Sequence, residues 1–226
     1  MAELINTSLF TDANLEAYYR FETGALTTDS SGDSETLTNT NSVGEATGKY
    51  GIAADFGTGD HNKDMRRSSN YGLTGVQDMS FAFWVKLNTE ISANSYHIFG
   101  LETTLTTARY LFFDYEYNGG TRRLNANVAG TSTTYNITLG TSNWYHMVYV
   151  RSSNTPSIWV NGVSVVSGTA GTGTSGDNRL FMGRNTAGNN DAAIILDDFG
   201  IFSKALSTSE IQELYNPLFL GGPIIF

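Results

Sequence analysis

The sequence contains no cysteine. Disulfides, thiolate metal sites and cysteine nucleophiles are therefore excluded, while the redox compartment stays open. Charge is scarce as well: Asp, Glu, Lys and Arg together make up 15% of the chain, with 13 basic against 22 acidic residues and a formal net charge of −9. The basic residues form no block beyond the pairs Arg66–Arg67 and Arg122–Arg123. A nucleic-acid partner is not expected, because phosphate binding needs a clustered positive field. No apolar run approaches the length needed to cross a bilayer, so no membrane insertion is expected. The opening "MAELINTSLF" lacks a positive segment followed by an apolar one and does not read as a Sec signal peptide. No segment of ~20–50 residues repeats, which argues against solenoids and propellers.

What is present points to a β protein. Hydrophobic residues make up 40% of 226 positions, enough to close one core, and Gly, Ser, Thr and Asn are abundant. Short aromatic or β-branched runs alternate with Gly, Asn, Ser and Asp punctuation. Strands are expected near 16–22, 51–56, 79–88, 96–102, 109–117, 122–128, 134–138, 144–151, 156–166, 179–184 and 193–202. Asn161-Gly162 inside "WVNGVSV" is a tight-hairpin signal, and "YNGGTRRL" (117–124) marks a second turn. One helix is well marked. Ser207 and Glu210 form an S-x-x-E capping box, Ile211, Leu214 and Tyr215 supply an apolar face, and Asn216-Pro217 ends it.

Taken in order, "LEAYYRFE", "DSSG", "GKYGIAADF", "MSFAFWVKL", "NWYHMVYV", "SIWVNGVSV", "RLFMGR" and "ILDDFGIFSKALSTSEIQELY" resemble the LamG-like group of the concanavalin A-like lectin/glucanase superfamily, near the pentraxins and laminin G domains. The likeness runs over about residues 15–216. It implies an all-β, two-sheet antiparallel jelly-roll sandwich with one short C-terminal helix. Residues 1–14 would form an N-terminal arm and 217–226 an apolar tail. The resemblance also implies binding more often than catalysis, and fold alone does not fix function.

The superfamily's glycosidases carry acids on alternate residues of one strand, as E-x-D-x-E. The nearest match is "FFDYEYN", where Phe112, Asp114 and Glu116 share one face and Phe113, Tyr115 and Tyr117 the other. Phe112 stands where the first acid is wanted, so a two-carboxylate mechanism is not assembled from this strand. Asp114 and Glu116 read as residues of a solvated face. The three histidines, at 61, 97 and 146, are widely separated, and no G-x-S-x-G elbow occurs. "GTGTSG" (171–176) matches a phosphate-loop pattern formally, but a strand follows it rather than a helix. No enzymatic activity is expected.

The resemblance implies a structural Ca²⁺ at the sandwich rim, shared between the D-x-S-G loop (Asp29, Asp33) and the last-strand Asp197. Backbone amides of the loop bound to Asp197 are an equally physical alternative. Strict alternation would place Asp197 with Ile195, Phe199 and Ile201, and would turn Asp198 to the opposite face. Trp84, Trp144 and Trp159 read as packed residues and His146 as a structural one. Ligand contacts are expected instead from loops: Asp60, His61, Asn62, Arg66 and Tyr71 in 59–72, Tyr96 in 92–97, and Asn189 and Asp191 in 185–191. The solvated-loop alternative holds for these as well. The tail "PLFLGGPIIF" places Leu218, Phe219, Leu220, Ile224, Ile225 and Phe226 either on the chain's own sheet or against a neighbour. Two functions follow as expectations. One is an extracellular carbohydrate-binding or adhesion domain whose partner is a surface glycan or polysaccharide. The other is a virion protein, such as a phage tail-fibre or decoration subunit, assembling as a homo-oligomer or with a virion neighbour through the tail.

Overall fold

A computed structural model describes residues 3–58, 62–73, 77–102, 109–169, 171, 179–184 and 191–216. Two antiparallel sheets face each other in a jelly-roll sandwich. In chain order, the strands begin with β1 (Leu15–Tyr19), β2 (Thr38–Thr40), β3 (Gly44–Thr47), β4 (Ile52–Asp55) and β5 (Asp64–Asn70). Then come β6 (Met79–Leu87), β7 (Ser95–Glu102), β8 (Arg109–Asn118), β9 (Thr121–Val128) and β10 (Thr131–Asn136). The series closes with β11 (Tyr145–Ser152), β12 (Thr155–Val160), β13 (Val163–Ser167), β14 (Arg179–Met182) and β15 (Ile194–Phe202), followed by helix α1 (Thr208–Tyr215). One sheet has eight strands in the order β13-β12-β11-β6-β15-β4-β3, with β1 pairing on β15. The other has seven, β10-β9-β8-β7-β14-β5-β2.

The expected 156–166 strand is two strands joined at Asn161-Gly162, both with positive φ as a tight hairpin turn demands. The 59–72 segment, expected as a loop, contains β5. Its polar sequence DMRRSSN hides a strand because only Met65 is committed to the core. The short polar strands β2 and β3 were likewise not expected.

The core between the sheets is dominated by phenylalanine. Phe81, Phe83, Phe99, Phe113 and Phe199 meet with ring centroids between 4.6 and 6.3 Å apart. Such offset and edge contacts add to their area burial. The eight-stranded sheet is also covered on its outer face, which explains why β6 and β15 read as apolar on both sides. There Leu4 and Leu9, from two 3-10 turns spanning Leu4–Asn6 and Ser8–Thr11, join Tyr18, Ala82, Val148, Val150, Phe202, Leu206, Ile211 and Leu214. Residues 3–11 thus pack on the sandwich.

Helix α1 starts as the sequence indicates. Ser207 Oγ accepts from the Glu210 N–H, and the Glu210 carboxylate accepts from the Ser207 N–H at 2.7 Å. Its Glu213 carboxylate accepts from the N–H and hydroxyl of Ser8, at 2.6 and 2.9 Å, and so clamps the N-terminal turns to the helix. Lys204 bridges Asp12 and Glu210.

β15 departs from strict alternation. Ile194 and Leu196 point into the main core, and so do Phe199 and Ile201. The phase shifts at a bulge: Asp197 pairs with Trp84 and Gly200 with Ala82, leaving one residue opposite two. Asp198 carries the left-handed φ of 52° that the bulge needs. Asp197 and Asp198 therefore both leave the core on the outer side, against the expectation that they oppose each other. Leu9, 1% exposed, should tolerate truncation poorly. Leu9→Ala is expected to cost about 2–4 kcal/mol in a denaturant titration. Val163→Ala, at a residue 62% exposed, should stay within about 0.5 kcal/mol.

Candidate functional site

The outer face of the seven-stranded sheet collects polar side chains in rows fixed by strand register. With Phe113 and Tyr115 turned into the core, β8 sends Phe112, Asp114 and Glu116 outward. β9 alternates likewise and sends out Arg123, Asn125 and Asn127. Register sets Asn125 beside Asp114 and Asp114 beside His97. The next row runs Asn127, Phe112, Gly100, Phe181 and Arg66.

His97, Asp114 and Glu102 form a shielded trio, 0%, 3% and 0% exposed. His97 Nδ1 lies 2.8 Å from Asp114 Oδ1, and Nε2 lies 3.7 Å from Glu102 Oε1. Gly100 makes this arrangement possible, since a Cβ there would stand 2.9 Å from His97 Cε1 and Nε2. The imidazole thus lies along the sheet between two carboxylates. The buried atoms here that make no hydrogen bond include His97 Nε2 and Asn125 Oδ1. Buried polar atoms normally find a partner, and these are two that the chain itself leaves unsatisfied. Asn127 is committed differently, donating to Ser132 Oγ and accepting from the Gly130 N–H. Around the trio, Phe112 is half-buried, Arg123 pairs with Glu116 at 2.6 Å, and Arg66 pairs with Asp64 at 2.6 Å while lying over Phe181.

The surface reading of Asp114 is overturned: it is buried and paired with His97. The sequence separation of 17 residues hid this pairing, which only the β7–β8 register reveals. On β8 the alternating acid pattern of the superfamily's glycosidases is incomplete. Phe112 takes the place of one acid, Glu116 is held by Arg123, and the imidazole stands between Asp114 and Glu102.

The calcium set Asp29, Asp33 and Asp197 is not brought together. Asp29 Oδ1 accepts from the N–H groups of Tyr18 and Ser31, and Oδ2 from Ser31 Oγ and the Glu35 N–H. Donors crowd the oxygens that a cation would need, and Asp29 ties its loop to β1. Asp197 Oδ2 instead accepts from the Tyr50 N–H at 2.9 Å, and a Cβ on Gly48 would come within 2.6 Å of it. Asp198 accepts from the Tyr18 hydroxyl. Among the described residues no group of three or more His, Asp or Glu side chains is placed to hold a metal.

Of the expected ligand residues, Asp60, His61 and Asn189 lie outside the described residues, as do Leu218, Phe219, Leu220, Ile224, Ile225 and Phe226. Asn62 and Asp191 do come together: the Asn62 N–H donates to Asp191 Oδ2 at 3.3 Å, and Arg184 pairs with Asp191 at 3.0 Å. Arg66 lies on the sheet face rather than in a loop. Tyr71 is corrected to a core residue, 6% exposed, with its hydroxyl 2.6 Å from that of Tyr19. Tyr96 also packs against the core. Tyr71 was expected in a loop because β5, which leads into it, was not legible, whereas Tyr96 stands where the expected 92–97 loop and 96–102 strand overlap and falls within β7. Trp84 and His146 are buried as expected, whereas Trp144 and Trp159 are only half-buried.

Comparison with known proteins agrees with this architecture. Residues 57–212 match a laminin G family model described as the concanavalin A-like lectin/glucanases superfamily. The chain belongs to that superfamily. No curated protein matches the sequence. Among solved structures, domain 4 of AbnA, a GH43 extracellular arabinanase from Geobacillus stearothermophilus in complex with arabinotriose, is similar with a TM-score of 0.68 and 22% identity over 90% of this chain and 98% of that one. The binding domain of Paraclostridial Mosquitocidal Protein 1 gives 0.68 and 18%, covering 92% of this chain and 53% of that one. The binding domain of Botulinum Neurotoxin DC in complex with SialylT gives 0.67 and 15%, covering 92% and 52%. The chain thus spans about half the length of these toxin domains. At such identities the likeness shows the fold.

Burial raises the Asp197 carboxyl from 3.8 to about 8 and that of Asp198 to about 7. Carboxyls held protonated in the fold favour folding below pH 3.8, and that contribution is lost as pH rises through the folded values. His146 acts in the opposite sense: burial lowers it from 6.5 to about 3, so acid below pH 6.5 destabilises. From pH 6.5 to 8, only the carboxyls of these three groups contribute. The thermal midpoint should fall across that interval, and Asp197→Asn should flatten the fall. A wild-type midpoint constant over that range would contradict the assignment.

Proposed function

We propose that this chain is a non-catalytic carbohydrate-binding domain that holds a glycan on the outer face of its seven-stranded sheet. One observation carries the reading. Asn125, Asp114 and His97 stand side by side in register, with buried Asn125 Oδ1 and His97 Nε2 making no hydrogen bond and the half-buried Phe112 ring in the next row. Sugar hydroxyls both donate and accept, so they can serve an amide oxygen and an imidazole nitrogen together. The apolar face of a sugar ring suits an aromatic side chain. Leaving a buried polar atom unpaired costs about 1–3 kcal/mol, which a fitting hydroxyl would recover.

Supporting this, the first-named neighbour above is a domain of an extracellular arabinanase in complex with arabinotriose, and others are toxin binding domains. The proposed partner is accordingly a surface glycan or polysaccharide, and the proposed place of action is outside the cell. No described helix is long and apolar enough to cross a membrane. Assembly through residues 217–226, and with it a virion role, rests on the sequence alone.

Isothermal titration against arabinan, xylan, β-glucan and sialylated glycans tests the proposal. At least one should bind, and none should be cleaved. Asn125→Ala and Phe112→Ala should each weaken binding about tenfold, near 1.4 kcal/mol, with the thermal midpoint retained. Binding that ignores both substitutions, or hydrolysis of any glycan, would overturn the reading.

A further inference from the structure

We propose a second carbohydrate subsite, on the opposite side of the sandwich, with the ring of Tyr215 as its floor. A cavity of about 300 Å³ at the β8–β9 turn is lined by the backbone-rich segments around Gly120 and Asn136 and offers no aromatic surface in its lining. The cavity of about 240 Å³ between the β12–β13 turn and the last turn of α1 is different. Asn161, Gly162 and Val163 line one side, and Gln212, Tyr215 and Asn216 the other. Val163 and Tyr215, 62% and 38% exposed, are the large hydrophobic residues left exposed among those described.

Tyr215 is backed by a rigid stack. Its ring lies 6.0 Å from both His146 and Trp84, inclined by 29° and 31°. Trp84 is braced in turn by Tyr50, edge-on at 6.2 Å, and by Lys49 Nζ, 4.2 Å from its centroid. A platform held this firmly loses little freedom when a ligand lands on it. Gly162 keeps the approach open. Its φ of 76° meets the demand of the turn, and a Cβ there would stand only 3.0 Å from Tyr215 Cδ1.

Around the ring, the polar side chains are amides. Asn161 Oδ1 accepts from the His146 N–H at 3.0 Å, which fixes the amide orientation and leaves its NH₂ as a donor. Gln212 and Asn216 are exposed and supply donors and acceptors. No charged residue lines the cavity. An aromatic face bordered by uncharged amides suits a neutral sugar ring and offers an anionic sugar no counter-charge. The volume lies below the ~300–1,000 Å³ of drug-sized sites, so it fits one sugar residue. This site shares a ligand class with the sheet-face site and none of its residues, so either can fail alone.

The test uses the full chain and methyl glycosides of arabinose, xylose and glucose as probes, followed by amide shifts in ¹H–¹⁵N NMR and by tryptophan fluorescence. Millimolar binding should shift Asn161, Gly162, Gln212 and Asn216 and change the emission of Trp84 beneath Tyr215. Tyr215→Ala should abolish these shifts, Tyr215→Phe should keep them, and Asn125→Ala should leave them unchanged. Absence of shifts at these residues with probe up to about 100 mM, or shifts that survive Tyr215→Ala, would overturn the proposal. If Phe219→Ser with Leu220→Ser moves the same signals while the sugars do not, the cavity seats the C-terminal tail and the sugar assignment falls.

Discussion

The extra residue in β15 is the constraint on which the remaining arrangement depends. Without the bulge at Asp197–Asp198, one half of the strand would turn Phe199 and Ile201 away from the phenylalanine core that they complete. With it, four large apolar side chains reach one core and two carboxylates leave on the other side. Those carboxylates are then tied down: Asp197 by the amide of Tyr50, Asp198 by the hydroxyl of Tyr18. The N-terminal turns and α1 close over that face, with Leu4 and Leu9 packed beside Tyr18 and Phe202. A buried charge is costly, which is why both carboxyls are pushed toward their neutral form.

Covering one sheet in this way divides the molecule. The central strands β6 and β15 of the eight-stranded sheet are buried on both faces. The seven-stranded sheet keeps Asn125, Asp114, His97 and Glu102 on its outer side. Asn125 Oδ1 and His97 Nε2 are among the buried polar atoms that the protein's own side chains leave without a hydrogen bond. Membership of the superfamily supplies the scaffold and leaves the ligand to be decided by these side chains.

Much of the scaffold was legible in the sequence. Most strands, the Asn161-Gly162 hairpin, the Ser207–Glu210 capping box and the alternation of "FFDYEYN" follow from local chemistry, and local chemistry is what a sequence displays. β5 escaped because Arg66, Arg67, Ser68 and Ser69 carry no apolar alternation. Tyr71 was read as a loop residue because its burial depends on partners distant in sequence, such as Tyr19. The bulge was illegible because it leaves no residue-type signature. The pairing of His97 with Asp114 was equally hidden: it follows from how β7 and β8 register and from a glycine at position 100 that clears room for the ring. The acid loop at 29–33 misled for a related reason, since a carboxylate that gathers backbone amides and one that gathers a cation look alike in sequence.

The central claim is that a glycan hydroxyl takes up the unpartnered atoms beside Asp114. The side-chain ¹⁵N resonances of His97 report on it directly, since one ring nitrogen faces Asp114 and the other is the one that lacks a hydrogen bond. On saturation with a bound oligosaccharide, the Nε2 resonance should move strongly while Nδ1, held by Asp114, moves little. Saturable glycan binding that leaves both His97 resonances unchanged would contradict the account.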